Sequence, residues 1–274
     1  MNYAGQCWWI TGASSGIGAA LARECAQRGA HVILSGRDEA RLRQVAEDCG
    51  PKGRDALILP FDVRDEAALA DAVGKAIAWQ GHVDVAIANA GVSQRSQALE
   101  TSMEVYREII EIDLIAQIAF AQALIGHMAT RGSGALAFIS SIAGKVGVPM
   151  RTAYCGAKFG LAGYADALRG ELSQKGVAVH VIYPGSIATN VSRNALTGDG
   201  SQRGRSDKAI DQGIDPAEAA QTMIDAMAKG EREIIIAEGM ELAMGEMRRT
   251  PDALFDQVAA MVAAGYIEKM EAEG

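Results

Sequence analysis

The sequence has few cysteines and no pairing pattern among them. Cys7, Cys25, Cys49 and Cys155 stand alone, with no CxxC spacing. This excludes the disulfide framework of a small secreted domain and implies four reduced thiols in a reducing compartment. Metal-ligand spacing is also missing. His31, His82, His127 and His180 are far apart and no HExxH occurs, so no metal site is expected. Basic residues are the minority, 26 against 34 acidic ones, for a net charge of −8. That balance argues against a nucleic-acid partner, which needs a concentrated basic face. Long apolar runs are absent too. The longest, Ile112 to Ile125, is broken by Asp113, Gln117 and Gln122, and none reaches the ~18 residues of a membrane span. No basic region precedes a cleavable apolar stretch near Met1. The expectation is a cytoplasmic protein with no membrane partner.

What is present is an ordinary globular balance, 49% hydrophobic and 22% charged, in 274 residues. That length suits two domains, or one α/β domain with an accessory segment. No internal repeat and no linker-like shift in composition divides the chain, so one domain is expected. Short, nearly all-apolar runs recur at Cys7–Thr11, His31–Ser35, Ala56–Pro60, Val83–Ala88, Ala135–Ser140, Val177–Tyr183 and Glu233–Ala237. Strands covered on both faces have this character. Helix-period segments alternate with them: 19–28, 38–48 (ended by Gly50-Pro51), 65–80, 102–130, 152–174 and 216–229. The pattern predicts a doubly wound, parallel, seven-stranded α/β sheet of Rossmann type with right-handed crossovers. Residues 1–240 would form that unit. Residues 241–274 would add a short helical extension, with Pro251 starting its second helix.

Thr11-Gly12-Ala13-Ser14-Ser15-Gly16-Ile17-Gly18 joins the first strand to the first helix. Gly12 permits a tight turn. Gly16 and Gly18 allow a diphosphate and the helix to come close to the backbone. Free N–H groups and the positive end of the helix then favour the anion. The spacing is not GxGxxG, so the usual dinucleotide pattern misses it.

Tyr154 and Lys158 stand at i and i+4 at the start of a helix, on one face. A phenol is a poor acid–base group at neutral pH, and a nearby ammonium favours its ionised form. Ser141, at the end of the fifth strand, is placed to donate a hydrogen bond to a substrate oxygen. Strand C-terminal ends are where such sheets bind ligands. Ser140 competes for this role, since neighbouring strand residues face opposite ways.

TGASSGIG at 11–18, ANAG at 88–91, ISS at 139–141, YCGAK at 154–158 and PGSIAT at 184–189 together resemble the short-chain dehydrogenase/reductase family, in its main single-domain branch. The resemblance runs from about residue 6 to 237. The stretch 144–161 also resembles the hydroxysteroid-dehydrogenase-like subgroup. The resemblance implies an oxidoreductase that interconverts a ketone or aldehyde and an alcohol by hydride transfer. Tyr154 would be its general acid/base, Lys158 would tune that phenol and hold the ribose, and Ser141, selected over Ser140 by the family spacing, would orient the carbonyl. The nucleotide would be held by Gly12, Ser14, Ser15, Gly16, Ile17 and Gly18. Asp62 and Val63 would contact the adenine, Asn89, Ala90 and Gly91 would support the cofactor, and Pro184, Gly185, Ile187 and Thr189 would contact the nicotinamide. The family's relay asparagine is replaced by Asp113, counted here as a candidate catalytic residue. Helices 102–130 and 152–174 resemble the family's subunit contacts, implying a homodimer or homotetramer.

The second strand ends Ser35-Gly36-Arg37-Asp38. No carboxylate stands where it would repel a 2′-phosphate, a guanidinium stands ready to pair with one, and Ser35 adds a hydroxyl. NADP(H) is therefore expected over NAD(H), with Asp38 read as a helix cap. Residues 190–215 are long for a loop and would form a substrate lid, solvated and mobile, with Arg193, Arg203, Arg205 and Lys208 balanced by Asp199, Asp207, Asp211 and Asp215. Met150 and Arg151 would line the pocket mouth, and Trp8 and Trp9 would be strand core. Two rival functions remain. A catalytically silent NADP(H) sensor is disfavoured by the intact Ser141, Tyr154 and Lys158. An extended epimerase or dehydratase needs a larger C-terminal domain than residues 238–274 supply.

Overall fold

The computed structural model describes residues 3–50, 55–266 and 269. Seven strands form one parallel sheet: β1 (Cys7–Thr11), β2 (His31–Gly36), β3 (Leu57–Pro60), β4 (Val85–Ala88), β5 (Gly134–Ile139), β6 (Val177–Pro184) and β7 (Glu233–Ile236), in the order β3-β2-β1-β4-β5-β6-β7. The order reverses at β1, which pairs with β2 on one side and β4 on the other. That reversal opens a crevice beyond the strand ends, where a ligand can lie.

The helices are α1 (Gly16–Gln27), α2 (Glu39–Asp48), α3 (Glu66–Gln80), α4 (Met103–Ile110), α5 (Ala116–Arg131), α6 (Thr152–Leu172), α7 (Lys208–Asp211), α8 (Pro216–Ala228), α9 (Gly239–Met247) and α10 (Asp252–Ala263). They cover both faces of the sheet. Trp8, Ile10, Val32 and Leu34 meet α1, α2 and α8 on one face. Trp9, Ile33 and Phe138 meet α3, α5 and α6 on the other. Trp8 and Trp9 are thus both core, on opposite faces, as strand alternation dictates. Asp38 and Asp65 cap α2 and α3, each accepting a backbone N–H from three residues on. The last two helices follow the predicted tail, with Pro251 at the N-cap of α10. Pro51 and the chain beyond Lys269 lie outside the described residues.

Two expectations need correction. The predicted single helix 102–130 is divided by a π-helical turn, Glu111–Ile115. The wider turn frees backbone groups from the ladder, and Gln117 meets one of them, donating to the Ile112 carbonyl at 3.0 Å. By length and composition this helix, Met103–Arg131, is apolar enough to cross a membrane. Here Phe120, Leu124 and Met128 on one side of it belong to the core.

The second correction concerns 190–215, which is not a solvated loop around Ser192 and Asp207. Ser192 is fully buried. Asp207 accepts from Arg95 Nε at 2.7 Å and Arg203 Nη1 at 2.5 Å, with Arg151 Nη2 at 3.7 Å. The segment also joins the loop after β4: Leu196 N–H donates to the Ser93 carbonyl, and Arg95 N–H to the Leu196 carbonyl. Burial pushes the Asp207 carboxyl up, but hydrogen bonds from Arg95, Arg203 and Ser192 hold it well below the usual range.

Candidate active site

A cleft of about 1080 Å³ runs along the strand ends, from the β2–α2 corner to the start of α6. At one end lie Ser14, Gly36, Arg37 and Arg41; at the other lie Ser141, Tyr154 and Lys158. The β1–α1 turn forms its floor. A Cβ on Gly12 would come within 2.8 Å of the Ala90 Cα, and Gly12 takes φ +64°. On Gly18 it would overlap the Gly12 carbonyl and stand 2.6 Å from Asn89 Nδ2. Gly18 therefore lets helix and turn pack, and it does not itself line the cleft. Asn89 fixes the turn from the β4 side, donating from Nδ2 to the Thr11 carbonyl at 2.8 Å. Thr11 Oγ1 in return accepts the Asn89 and Ala90 N–H groups.

The other predicted nucleotide residues, Ser14, Ser15, Gly16, Ile17, Asp62, Val63, Asn89, Ala90, Gly91, Pro184, Gly185, Ile187 and Thr189, all line this cleft. Ser35 does not, and its expected contact is corrected. Its hydroxyl is fully buried and accepts Trp9 Nε1–H at 2.8 Å, on the core side of β2. Met150 and Arg151 are also absent from the lining. Arg151 faces Asp207, and Met150 is exposed at φ +65°, an unusual conformation for a non-glycine residue. Groups that no motif signalled also contribute. Arg41 sits one helical turn beyond Arg37, beside Asp38 at 3.2 Å. Val92, Ser93, Asn194, Leu196 and Gln202 form the lid side. Asp62 is held down to about 2, chiefly by its hydrogen bonds with Arg64, and Arg37 adds to the same pull.

At the far end, just past β5, Ser140 and Ser141 both border the cleft but differ in what they bind. Ser140 is buried and its Oγ donates to the Lys158 carbonyl at 3.0 Å. Ser141 opens to the cleft. It caps the short 3₁₀ turn Ile142–Gly144 by accepting the Ala143 N–H at 3.1 Å, and its hydroxyl lies 3.4 Å from the Pro184 carbonyl. Lys158 Nζ stands 5.6 Å from the centre of the Tyr154 ring.

Lys158 is 3% exposed, and its ammonium is held between the Ile139 carbonyl at 3.0 Å and Asp113 Oδ1 at 3.1 Å. Asp113 is fully buried in the π-turn and also accepts the Val92 N–H through both oxygens at 3.2 Å. Burial raises the Asp113 carboxyl, opposed by the Lys158 charge. Burial would lower Lys158, but the carboxylate beside it prevails and keeps it above its ordinary value. Among the described residues, no group of three or more His, Cys, Asp or Glu is arranged to hold a metal ion.

The dimensions and chemistry of the cleft fit an extended dinucleotide. A glycine turn and helix start, suited to an anion, lie at its centre, and Ser141, Tyr154 and Lys158 lie at one end. Comparison with known proteins leads the same way. A family model described as short chain dehydrogenase matches residues 6–199. Dehydrogenase/reductase SDR family member 7B of Danio rerio is 39% identical over 234 residues, 83% of this chain and 76% of that one. Among solved structures, a short-chain dehydrogenase from Streptomyces avermitilis superposes with TM-score 0.76 at 25% identity, covering 97% of this chain and 99% of that one. A short chain dehydrogenase/reductase from Burkholderia phymatum in complex with NAD gives TM-score 0.80 at 19% identity, covering 92% and 98%.

The Asp113–Lys158 pair has a measurable signature. Asp113→Asn should fold, with a loss near the lower end of the about 3–5 kcal/mol that breaking a buried pair costs, because the amide oxygen still accepts from Lys158. Lys158's raised value means that the pair's contribution is fully present below the unfolded lysine value and fades as pH rises through the folded one. In the variant the Asp113 charge is gone, burial prevails and the dependence reverses. Urea midpoints measured between pH ~7 and ~10 should show the stability gap narrowing as pH rises. A gap that stays constant over that range contradicts a charged pair.

Proposed function

The chain belongs to the short-chain dehydrogenase family, and on that premise we propose that it is an NADP(H)-dependent oxidoreductase interconverting a carbonyl compound and an alcohol. The observation that carries this reading is the convergence of Ser141, Tyr154 and Lys158 at one end of a dinucleotide-sized cleft. When bound, the nicotinamide supplies or accepts a hydride. The protein's own groups handle the oxygen and its proton. Ser141 Oγ, whose 3.4 Å contact with the Pro184 carbonyl is long, donates to the substrate oxygen instead. The Tyr154 hydroxyl gives that oxygen its proton in reduction and takes it back in oxidation. Lys158 holds its ammonium beside that phenol, 5.6 Å from the ring centre. Asp113 acts on Lys158 as a positioning residue, fixing its ammonium and keeping it charged.

Residues of the β1–α1 turn would hold the diphosphate, Asp62 and Val63 the adenine, and Asn89 to Gly91 and Pro184 to Thr189 the nicotinamide half. Arg37 and Arg41 at the β2–α2 corner support NADP(H). The carboxylates just after β2 are already engaged, Asp38 in capping α2 and pairing Arg41, Glu39 in pairing Arg43. A cofactor-dependent screen over ketones, aldehydes and secondary alcohols tests the reading as a whole. A protein that binds NADPH and turns over none of them is the silent sensor.

The outer faces of α4–α5 and α6 support a homodimer or homotetramer. Ile115 is exposed there, and the Gly126, Gly156 and Gly163 Cβ positions open onto empty space. An apolar, small-residue face of this kind suits close helix contact between copies, and we read the apolar character of Met103–Arg131 in that way. Sedimentation should find a dimer or larger. A monomer at micromolar concentration refutes the assignment.

Tyr154→Phe should lose at least about 10²-fold in kcat while binding NADP(H) much as wild type, since only the hydroxyl is removed. Retention of more than about a tenth of wild-type kcat contradicts the acid/base role.

Gly36→Asp combined with Arg37→Asp should move preference toward NAD(H). Space exists for the change: a Cβ on Gly36 would meet Ser14 Oγ at 3.5 Å, an ordinary contact. Competing kcat/KM measurements decide the matter. A wild type already preferring NADH by tenfold, about 1.4 kcal/mol, overturns the assignment.

A further inference from the structure

Resting on the reading of Pro184 to Thr189 as the nicotinamide wall, we propose that Glu241, on α9, is a positioning residue for that wall. The C-terminal extension is then a working part of the site. The family match ends at residue 199 and assigns Glu241 nothing.

The argument begins where β6 stops. Past Pro184 the chain leaves the sheet, and its backbone groups need partners other than the ladder. Gly185 N–H still reaches β7, donating to the Ile236 carbonyl at 2.9 Å. The Ser186 carbonyl accepts the Ile214 N–H at 3.0 Å, which ties the wall to the end of the lid. The Ser186 N–H is taken by Glu241 Oε2 at 2.7 Å, and the Ser186 hydroxyl donates to Oε1 at 3.0 Å. Both carboxylate oxygens are thus spent on one residue, in charge-assisted bonds stronger than neutral ones.

The carboxylate also sets the depth of the wall. A Cβ on Gly185 would overlap Glu241 Oε2 and stand 2.9 Å from Ala237 Cβ. Gly185 faces the cleft on its other side. Glu241 is therefore packed directly behind a cleft-lining residue, and moving it moves the surface the nicotinamide would meet.

The same segment braces the opposite wall. A Cβ on Gly245 would stand 2.9 Å from Ile142 Cδ1, and Ile142 follows Ser141. Just beyond α9, Thr250 N–H donates to Glu233 Oε2 at 2.7 Å. Glu233 Oε1 pairs with Lys145 Nζ at 2.9 Å, both side chains 3% exposed, and Lys145 ends the turn that Ser141 caps. Residues 239–250 thus fasten the serine turn and the nicotinamide wall to each other from outside the cleft. A hydride transfer that depends on a near-attack geometry is sensitive to sub-ångström errors in that spacing.

The test compares Glu241→Ala, Glu241→Gln and wild type. It uses NADPH titration by fluorescence, kcat and KM, the primary isotope effect with 4-deuterated NADPH, and thermal melting. Glu241→Ala should weaken NADPH binding or slow turnover by about ten- to a hundredfold, with an enlarged isotope effect as hydride transfer becomes limiting. Glu241→Gln should recover part of the loss, since its amide oxygen can accept the Ser186 N–H. A folded Glu241→Ala within twofold of wild type in binding, kcat and isotope effect overturns the proposal. If that variant does not fold, Ser186→Ala carries the test, because it removes only the hydroxyl bond. It should weaken NADPH binding severalfold, and unchanged binding and isotope effect overturn the proposal. A wild type that neither binds NADPH nor turns over any carbonyl compound overturns the functional reading beneath it, whereas an active wild type beside an indifferent Glu241→Ala overturns only the positioning role.

Discussion

The buried pair between Lys158 and Asp113 constrains more of this site than any other contact. Two ionised groups out of water are expensive, and their attraction offsets the cost only if geometry and further hydrogen bonds are right. The chain meets that condition from three directions. The Ile139 carbonyl, at the end of β5, takes one ammonium proton. The Val92 N–H, in the loop after β4, donates to the carboxylate. The π-turn between α4 and α5 carries Asp113 to the meeting point. Strand end, loop and helix are thereby fixed against one another around the lysine. Gly91 is drawn into the same constraint, because a Cβ there would overlap Asp113 Oδ1 and stand 3.5 Å from Lys158 Nζ.

The cleft depends equally on backbone that comes close without side chains in the way. β1 lies at the reversal of strand order, so the first βα turn faces the loop after β4 across the crevice. Gly12 and Gly18 let these two backbones and α1 approach, and Asn89 and Thr11 fasten them with reciprocal hydrogen bonds. The glycine-turn end of the cleft is therefore built of main-chain groups and helix polarity. The Ser141–Tyr154–Lys158 end is built of side chains, of which Lys158 is locked by burial against Asp113.

Much of this was legible in the residues. The apolar runs located all seven strands, because strands covered on both faces must be apolar throughout. The glycine turn and the Tyr154–Lys158 spacing located the two ends of the cleft, because each is a local pattern on one element. What escaped was what depends on partners distant in sequence. Ser35 stands at the right strand end, but Trp9 on the neighbouring strand claims its hydroxyl. The π-turn leaves no mark in a hydrophobic period, since Gln117, which satisfies the freed carbonyl, looks like any polar residue. A count of four cations against four anions in 190–215 suggested a neutral solvated loop, yet one carboxylate, Asp207, gathers three guanidiniums, two of them from outside the lid.

That gathering decides which side chains segment 190–215 turns to the cleft. Arg95, Arg151 and Arg203 are oriented toward Asp207, and none of them lines the cavity. The side chains that segment 190–215 does present to it, Asn190, Val191, Asn194, Leu196 and Gln202, are neutral, and Gln202 is held by Asn194 at 2.8 Å. The charges of the three arginines are therefore spent on holding segment 190–215 to the loop after β4 and to the start of α6. The guanidiniums that remain exposed on the cleft belong to the opposite corner, at Arg37 and Arg41. The two ends consequently differ in the kind of recognition they offer. The β2–α2 corner presents charge, whereas the 190–215 side presents only neutral groups, Asn190, Asn194 and Gln202 among them, which meet a ligand by shape and by hydrogen bonds.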